Sequence, residues 1–375
     1  MKIALIHEWL TNVAGSEKVL MNFMELFPGS PVYTLIYNPE AMPDVFKDKQ
    51  VYTSFINNLW GAKKKHQRFL PLMPIAFEQF DLSRYDIVLS SSSACAKGVI
   101  TRADTMHVCY CHTPIRYAWD FYHLYLQNEK SSWIKKLLIP VLMNYLRLWD
   151  VGTANRVDYF IANSYNVANR IRKHYRRDAE VIHPPIDTHF FTPDGKKGDY
   201  YLIVSRLVPY KKVDIAVKAF NKLGLKLVVI GNGSELQKLK NISGTNIEFP
   251  GWQPDEVIRD YYRGCKAVIF PGEEDFGMTP LEAQACGKPV IAYGKGGALE
   301  TVIEGKTGLF FMQQDETSLI EAVRRYESLS FDEGIIRKHA ESFGKEEFKG
   351  KLNLFIDRKY NEFKKMDGKR GCFSV

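Results

Sequence analysis

Two carboxylates, Glu274 and Glu282, flank the stretch Asp275-Phe-Gly-Met-Thr-Pro-Leu281. The surrounding segment, 271–308, turns on Gly272 and Gly277, starts a helix at Thr279-Pro280, closes it at Gly287 and enters the strand Pro289-Val-Ile-Ala292. A glycine-lined turn running into a helix receives anions. The first-turn N–H groups lack intrahelical partners and the helix dipole favours negative charge there. Lys288, Lys295, Gly294, Gly296 and Gly297 follow, so the segment suits a phosphorylated sugar. Thr279-x-x-Glu282 is also a capping box with Pro280 at the first helical position. In that reading Glu282 only satisfies the helix start, and on these residues alone both readings stand.

A second constellation follows the apolar run Tyr200-Tyr-Leu-Ile-Val204, namely Ser205-Arg206-Leu-Val-Pro-Tyr-Lys211-Lys212. Negative charge that develops on a leaving group can be neutralised by Mg²⁺ or by fixed cations. The chain has no Asp-x-Asp sequence, and Arg206 and Lys211 sit where a strand ends. An isolated Arg-x4-Lys is more often a solvated loop. Likewise Gly231-Asn-Gly233 is an ordinary tight turn unless a ligand's backbone approach is needed. His112, in His-Thr-Pro-Ile-Arg-Tyr-Ala-Trp-Asp120, is a structural histidine unless a substrate lies beside it. Cys109-x-Cys111-His112 lies within an apolar strand pattern and reads as buried reduced thiols rather than a metal site.

The elements that must position these groups alternate. Short apolar runs at 2–6, 32–36, 86–90, 106–110 and 156–162 are strands, with helices between them. A polar loop from His7 leads to Gly15, and a helix starts at Ser16. Strands at 200–204, 226–230, 246–249 and 266–270 repeat the logic, and helices follow Ser318. Such alternation predicts parallel sheets with helices on both faces, and ligands beyond the carboxyl ends of the strands. The segment 131–151 reads as an amphipathic helix containing Pro140. Thr192–Gly198 is polar and turn-rich and reads as a linker.

At 375 residues the chain suits about two domains. The net charge of +8 is shared between the halves and does not demand nucleic acid. It suits phosphorylated substrates or an anionic membrane surface. The N-terminal residues are too short and too charged for a signal peptide, and no apolar run reaches the roughly 20 residues a bilayer span needs. A cytoplasmic protein is expected, with peripheral attachment to the inner membrane's cytosolic face as an option.

Taken together, Glu274-x7-Glu282, Gly287-Lys-Pro-Val-Ile-Ala292 and Gly296-Gly-Ala-Leu-Glu300 resemble the signature of glycosyltransferase family 4, the retaining glycosyltransferases of GT-B fold. The resemblance is strong over 200–310 and scattered over 1–190. It implies an α/β chain of two Rossmann-like domains facing across a cleft, at 1–192 (acceptor) and 193–345 (nucleotide sugar), with a helix from 346 to 375 crossing back. It assigns Arg206 and Lys211 to the donor diphosphate, although Lys212 stands where the family has glycine and leaves the register of the two lysines open. It further assigns Gly231 and Gly233 to backbone approach, Trp252 and Gln253 to the nucleobase, and Glu282 to the ribose. Glu274 goes to the hexose, and the N–H groups of Phe276, Gly277, Met278 and Thr279 go to the sugar and distal phosphate. Glu273 and Asp275 have no family role and read as solvated. Ala14-Gly15-Ser-Glu17 resembles the family's Gly-Gly-x-Glu loop, which gives Gly15 to the diphosphate. His112 falls on the donor sugar and Arg116 on an acceptor phosphate. The His-Thr-Pro-x-Arg-Tyr-x-Trp-Asp wording is similar to mannosyltransferases of bacterial surface polysaccharide (O-antigen) assembly. The resemblance thus implies mannose from GDP-mannose, a glycan or lipid-linked glycan acceptor and no metal cofactor. The alternatives are another UDP- or GDP-hexose, or a sugar-nucleotide binder without catalysis.

Overall fold

A computed structural model describes residues 1–123, 133–196 and 198–370. The chain divides into two compact units, one of Met1–His183 with Lys349–Val375, the other of Pro184–Phe348. The division does not fall at the turn-rich 192–198 segment. The residues that follow Pro184 are held within the second unit, where Ile186 pairs with Gly344 and Arg337 donates to the carbonyls of Thr188 (2.6 Å) and Phe191 (2.5 Å).

The first unit is a parallel sheet of seven strands: β1 (Ile3–His7), β2 (Val32–Thr34), β3 (Val51–Thr53), β4 (Ile87–Ser92), β5 (Met106–Cys111), β6 (Tyr159–Ala162) and β7 (Ala179–Val181). Their order is β3-β2-β1-β4-β5-β6-β7. β1, β4 and β5 are buried along their whole length, as strands covered by helices on both faces must be. His7 completes β1 instead of opening a loop, because its backbone pairs with Ser91 of β4. The segment Leu35–Ile36 leaves the ladder after β2 ends at Thr34.

The second unit has six parallel strands, β8 (Tyr200–Val204), β9 (Lys226–Ile230), β10 (Ile247–Gly251), β11 (Val268–Phe270), β12 (Val290–Tyr293) and β13 (Gly308–Phe311). Their order is β10-β9-β8-β11-β12-β13. Both sheets are doubly wound. The strand order reverses between β1 and β4 in one and between β8 and β11 in the other, and ligands of such sheets bind outside the carboxyl ends at that reversal. The helix Lys345–Arg370 starts in the second unit and continues in the first, where Lys349 Nζ meets Glu25 at 2.6 Å and Arg358 meets Glu180 at 2.5 Å.

Candidate functional site

In the second unit the groups of interest leave the two strands that adjoin the reversal. After β8, Ser205 N–H donates to the Ile230 carbonyl (3.0 Å) and Leu207 N–H to that of Asn232 (2.9 Å). The Arg206 loop is therefore zipped onto the turn after β9. A Cβ on Gly231 would lie 1.9 Å from the Ser205 oxygen, and one on Gly233 2.1 Å from the Leu207 oxygen. The close approach these glycines allow in the folded chain is that of the Arg206 loop. Arg206 is exposed and donates from Nη2 to Tyr210 Oη at 3.1 Å.

Lys211 ends a short 3₁₀ turn, Pro209–Lys211, and its ammonium is ion-paired with Glu274. Lys212 has φ +53°, a left-handed conformation that suits glycine. Glycine at that position would adopt this conformation without strain, and of the two lysines it is Lys211 that pairs with Glu274. The strain at Lys212 is removable. We expect Lys212→Gly to raise stability by up to about 1 kcal/mol in urea unfolding, part of the left-handed cost being offset by glycine's backbone entropy. A loss of stability would contradict that reading of the turn.

After β11 the chain turns at Gly272, where a Cβ would come within 3.0 Å of Lys211 Cα. The Gln314 amide donates to the Pro271 carbonyl at 2.9 Å and pins the turn. The Glu274 carbonyl accepts from Gly297 N–H at 2.9 Å, and a Cβ on Gly297 would sit 2.2 Å from Phe276 Cα. Gly296-Gly297 thus clasp the Glu274–Phe276 backbone. Glu273 is not merely solvated, because Lys295 lies 3.1 Å away, and Asp275 is half-buried. Gly277, at φ +93°, caps the helix Met278–Ala285.

That helix start overturns the capping-box reading. Thr279 lies inside the first turn, so Glu282 is too far along to reach back to a cap. Instead Glu282 is buried and accepts from Tyr262 Oη at 3.3 Å. Burial, followed by the Glu282 charge, pushes the Tyr262 phenol well above its usual range, which keeps it a donor. Phe276 is buried, whereas Met278 and Thr279 are half-buried at the mouth of the turn. Gln253 donates to the Pro250 carbonyl at 3.0 Å, and Trp252 beside it is 69% exposed.

In the first unit the strand ends at the reversal carry a polar chain. His7 Nε2 lies 3.2 Å from Glu17 Oε1, His7 Nδ1 3.1 Å from Ser91 Oγ, and Ser91 Oγ 2.9 Å from His112 Nε2. Glu17 comes from the helix Gly15–Leu26, and its Oε2 accepts from Ala14 N–H at 2.9 Å. With alanine at the cap, only this glutamate half of a capping box exists. Burial alone would raise the Glu17 carboxyl, but the His7 hydrogen bond and charge hold it below its usual value. Burial, with His7 beside it, holds His112 down to about 3, so the ring is neutral. The Arg116 guanidinium lies over the Phe121 ring at 4.9 Å. Cys109 and Cys111 are buried free thiols, and among the described residues no cluster of three or more His, Cys, Asp or Glu could hold a metal.

Three buried charges in this unit had no sequence signature. Glu8 accepts from the N–H groups of Ser93, Ala94, Cys95 and Ala96 (2.7–3.1 Å) and from Ser92 Oγ (3.1 Å). Lys97 pairs with Asp150 at 2.5 Å, both almost fully buried. Tyr175 Oη (3.0 Å) and Trp119 Nε1 (2.8 Å) donate to the same carboxylate, and Lys97 also donates to Thr153 Oγ1 at 3.0 Å. His7, Ser91 and Tyr262 were likewise unreadable in sequence as members of a site.

Two doubly wound parallel units in one chain are the architecture of the GT-B class of α/β proteins. Residues 13–190 match the family model described as Glycosyltransferase Family 4, and residues 187–349 that described as Glycosyl transferases group 1. The chain carries the two domains of the family 4 glycosyltransferases. It is 30% identical over 171 residues to an uncharacterized glycosyltransferase of Methanocaldococcus jannaschii, covering 44% of this chain and 48% of the relative. It is also 30% identical over 236 residues to a D-inositol 3-phosphate glycosyltransferase of Streptomyces bingchenggensis, covering 52% of this chain and 50% of the relative. The chain thus spans about half the length of the curated relatives it matches. HepE of Anabaena, solved in complex with UDP and glucose, shares the fold with a TM-score of 0.71 at 17% identity, over 95% of this chain and 99% of that one.

Proposed function

We propose that this chain transfers a hexose from a nucleotide diphosphate sugar to a glycan acceptor with retained configuration. The observation that carries this reading is the convergence of Arg206, Lys211 and Glu274 with a glycine-capped helix start at one strand reversal. In it, Arg206 and Lys211 neutralise the leaving diphosphate, Glu274 orients the hexose and Glu282, held by Tyr262, takes the ribose. Donor binding would then exchange the Lys211–Glu274 ion pair for two separate contacts, one with phosphate and one with sugar. Gly231, Gly233, Trp252 and Gln253 belong to the nucleoside side, the backbone of Phe276–Thr279 to the sugar and distal phosphate, His112 and Gly15 to the donor, and Arg116 to the acceptor. With fixed cations in place, the leaving phosphate helps to deprotonate the acceptor hydroxyl on the same face of the sugar.

The wording of residues 112–120 favours mannose from GDP-mannose and a lipid-linked or polysaccharide acceptor. A UDP-hexose is the second reading, favoured by the UDP and glucose held by HepE. Hydrolysis of a panel of nucleotide sugars, with and without EDTA, tests both. The first reading expects GDP-mannose to turn over fastest and EDTA to leave the rate unchanged. Faster turnover of a UDP-hexose favours the second, and no turnover of any donor leaves a binding protein without catalysis.

A lipid-linked acceptor requires approach to a membrane, and no helix among the described residues is long and apolar enough to cross one. We propose peripheral docking on an anionic cytosolic face through the first unit. The helix Trp133–Ala154 buries Met143, Leu146 and Asp150, yet its other side exposes Leu138 (59%), Val141 (67%), Tyr145 and Leu148 (68%). Trp60, 94% exposed, adjoins the exposed Lys63, Lys64 and Lys65. Each lysine near anionic lipid is worth roughly 1 kcal/mol. We expect co-sedimentation with phosphatidylglycerol vesicles that weakens with salt and is lost when the three lysines become glutamate. Equal recovery of both proteins on neutral and anionic vesicles would remove this surface from consideration.

A further inference from the structure

The buried chain Glu17···His7···Ser91···His112 has a property that no single link has. His112 is neutral, so its ring carries one proton, on Nε2 or on Nδ1. Which nitrogen carries it is decided three groups away. When His7 is neutral, its Nε2–H satisfies Glu17, and its bare Nδ1 accepts from the Ser91 hydroxyl. The Ser91 oxygen then accepts from His112 Nε2–H, and His112 Nδ1 is an acceptor. When His7 is doubly protonated, Nε2–H still serves Glu17, but Nδ1–H now donates to Ser91 Oγ. The hydroxyl turns to donate to His112 Nε2, and the His112 proton sits on Nδ1, a donor. The distances (3.2, 3.1 and 2.9 Å) allow both arrangements without moving a heavy atom. His7, Glu17 and Ser91 are nearly or fully buried, so water offers them no competing partner.

We propose that Glu17, His7 and Ser91 are positioning residues that set the tautomer of His112, switching its Nδ1 between acceptor and donor as His7 gains a proton. The relay rests on the proposed role of His112 beside the donor sugar only for its effect on turnover; the tautomer change itself does not. The proton that His7 gains comes from solvent, and the Ser91 hydroxyl and the His112 ring each hold as many protons after the switch as before. Two other titratable groups face the relay. The His66 ring, stacked on Trp9 at 4.4 Å, senses Glu17, and the Tyr110 ring meets His112 edge-on at 5.2 Å. Burial lowers His66, against the opposing Glu17 charge, and raises Tyr110 well above its usual range, so burial favours the neutral form of each.

The test is ¹⁵N-histidine NMR of the full chain through about pH 5 to 8, where an ordinary histidine changes charge. The expected result is that the proton-bearing nitrogen of His112 follows the charge of His7, Nε2 wherever His7 is neutral and Nδ1 wherever it is doubly protonated. Ser91→Ala should uncouple the His112 tautomer from the charge of His7, and Ser91→Thr, which keeps the hydroxyl, should retain the coupling. If His7 holds one charge state throughout, His112 must show the tautomer that this state dictates. A His112 proton on the nitrogen that the observed charge of His7 forbids overturns the relay, as does a tautomer that still follows His7 in Ser91→Ala. In turnover, Ser91→Ala should lower kcat about tenfold, the worth of one hydrogen bond, with KM little changed. Absence of transfer from every donor would sink the functional reading while leaving the NMR outcome intact, so the two failures are distinguishable.

Discussion

Lys211→Ala is expected to lower kcat by a factor on the order of 10² to 10³, the usual consequence of removing one preorganised charge from a developing oxyanion. Arg206→Ala should cost at least about 2 kcal/mol of transition-state stabilisation for the same reason. The two differ in what they do to the resting protein. Arg206 is exposed and bonded to Tyr210, so its loss should leave stability within about 0.5 kcal/mol. Lys211 is 15% exposed and paired with Glu274 at 21%, so its removal strands a half-buried carboxylate. Lys211→Ala should therefore also lower the unfolding midpoint, and adding Glu274→Gln should restore stability without restoring turnover. Near-normal rates in both single variants would defeat the fixed-cation reading.

Lys97→Met should be the most destabilising single change described for the first unit, by about 3–5 kcal/mol, because it leaves the Asp150 carboxylate buried without its counter-charge. The remaining donors, Tyr175 Oη and Trp119 Nε1, satisfy lone pairs but do not neutralise the charge. Changing both partners, Lys97→Met with Asp150→Leu, should recover most of the loss, since well-packed apolar groups often replace a buried pair at little cost. Urea unfolding of the three proteins measures this. A cost under about 1 kcal/mol for Lys97→Met would mean that the pair is not load-sharing with the fold.

Much of this architecture is legible in one dimension because parallel sheets bury their strands on both faces. Runs such as Ile3–Ile6 and Leu227–Ile230 are apolar throughout, and glycines punctuate the turns between them. The Glu274-x7-Glu282 stretch is legible because its residues share one turn and one helix. What spacing could not resolve was where that helix begins. Capping chemistry points to Thr279, while the left-handed Gly277 starts the helix at Met278 and turns Glu282 toward Tyr262. The first-unit cluster was unreadable for a different reason. Its links run from residue 7 to 91 and from 91 to 112, and only the strand order β1-β4-β5 brings them together. Nor does the amphipathic pattern of 133–154 say which apolar stripe the core takes. The structure buries Met143 and Leu146 and leaves Leu138, Val141 and Leu148 outside.

The first unit is discontinuous along the chain, and this bears on the order in which a ribosome can complete it. Residues 1–183 emerge first, yet Leu352, Phe355 and Ile356, all buried, and Lys359, whose ammonium lies 4.9 Å from the Tyr159 ring, follow the whole second unit. At about 5–20 residues per second, synthesis of 184–348 occupies on the order of 10 to 30 seconds. Throughout that interval the nascent first unit lacks its last helix and exposes the apolar surface the helix will cover. Its sheet can form during translation, but its core closes only when residues 349–370 leave the exit tunnel, so the unit that begins folding first finishes last.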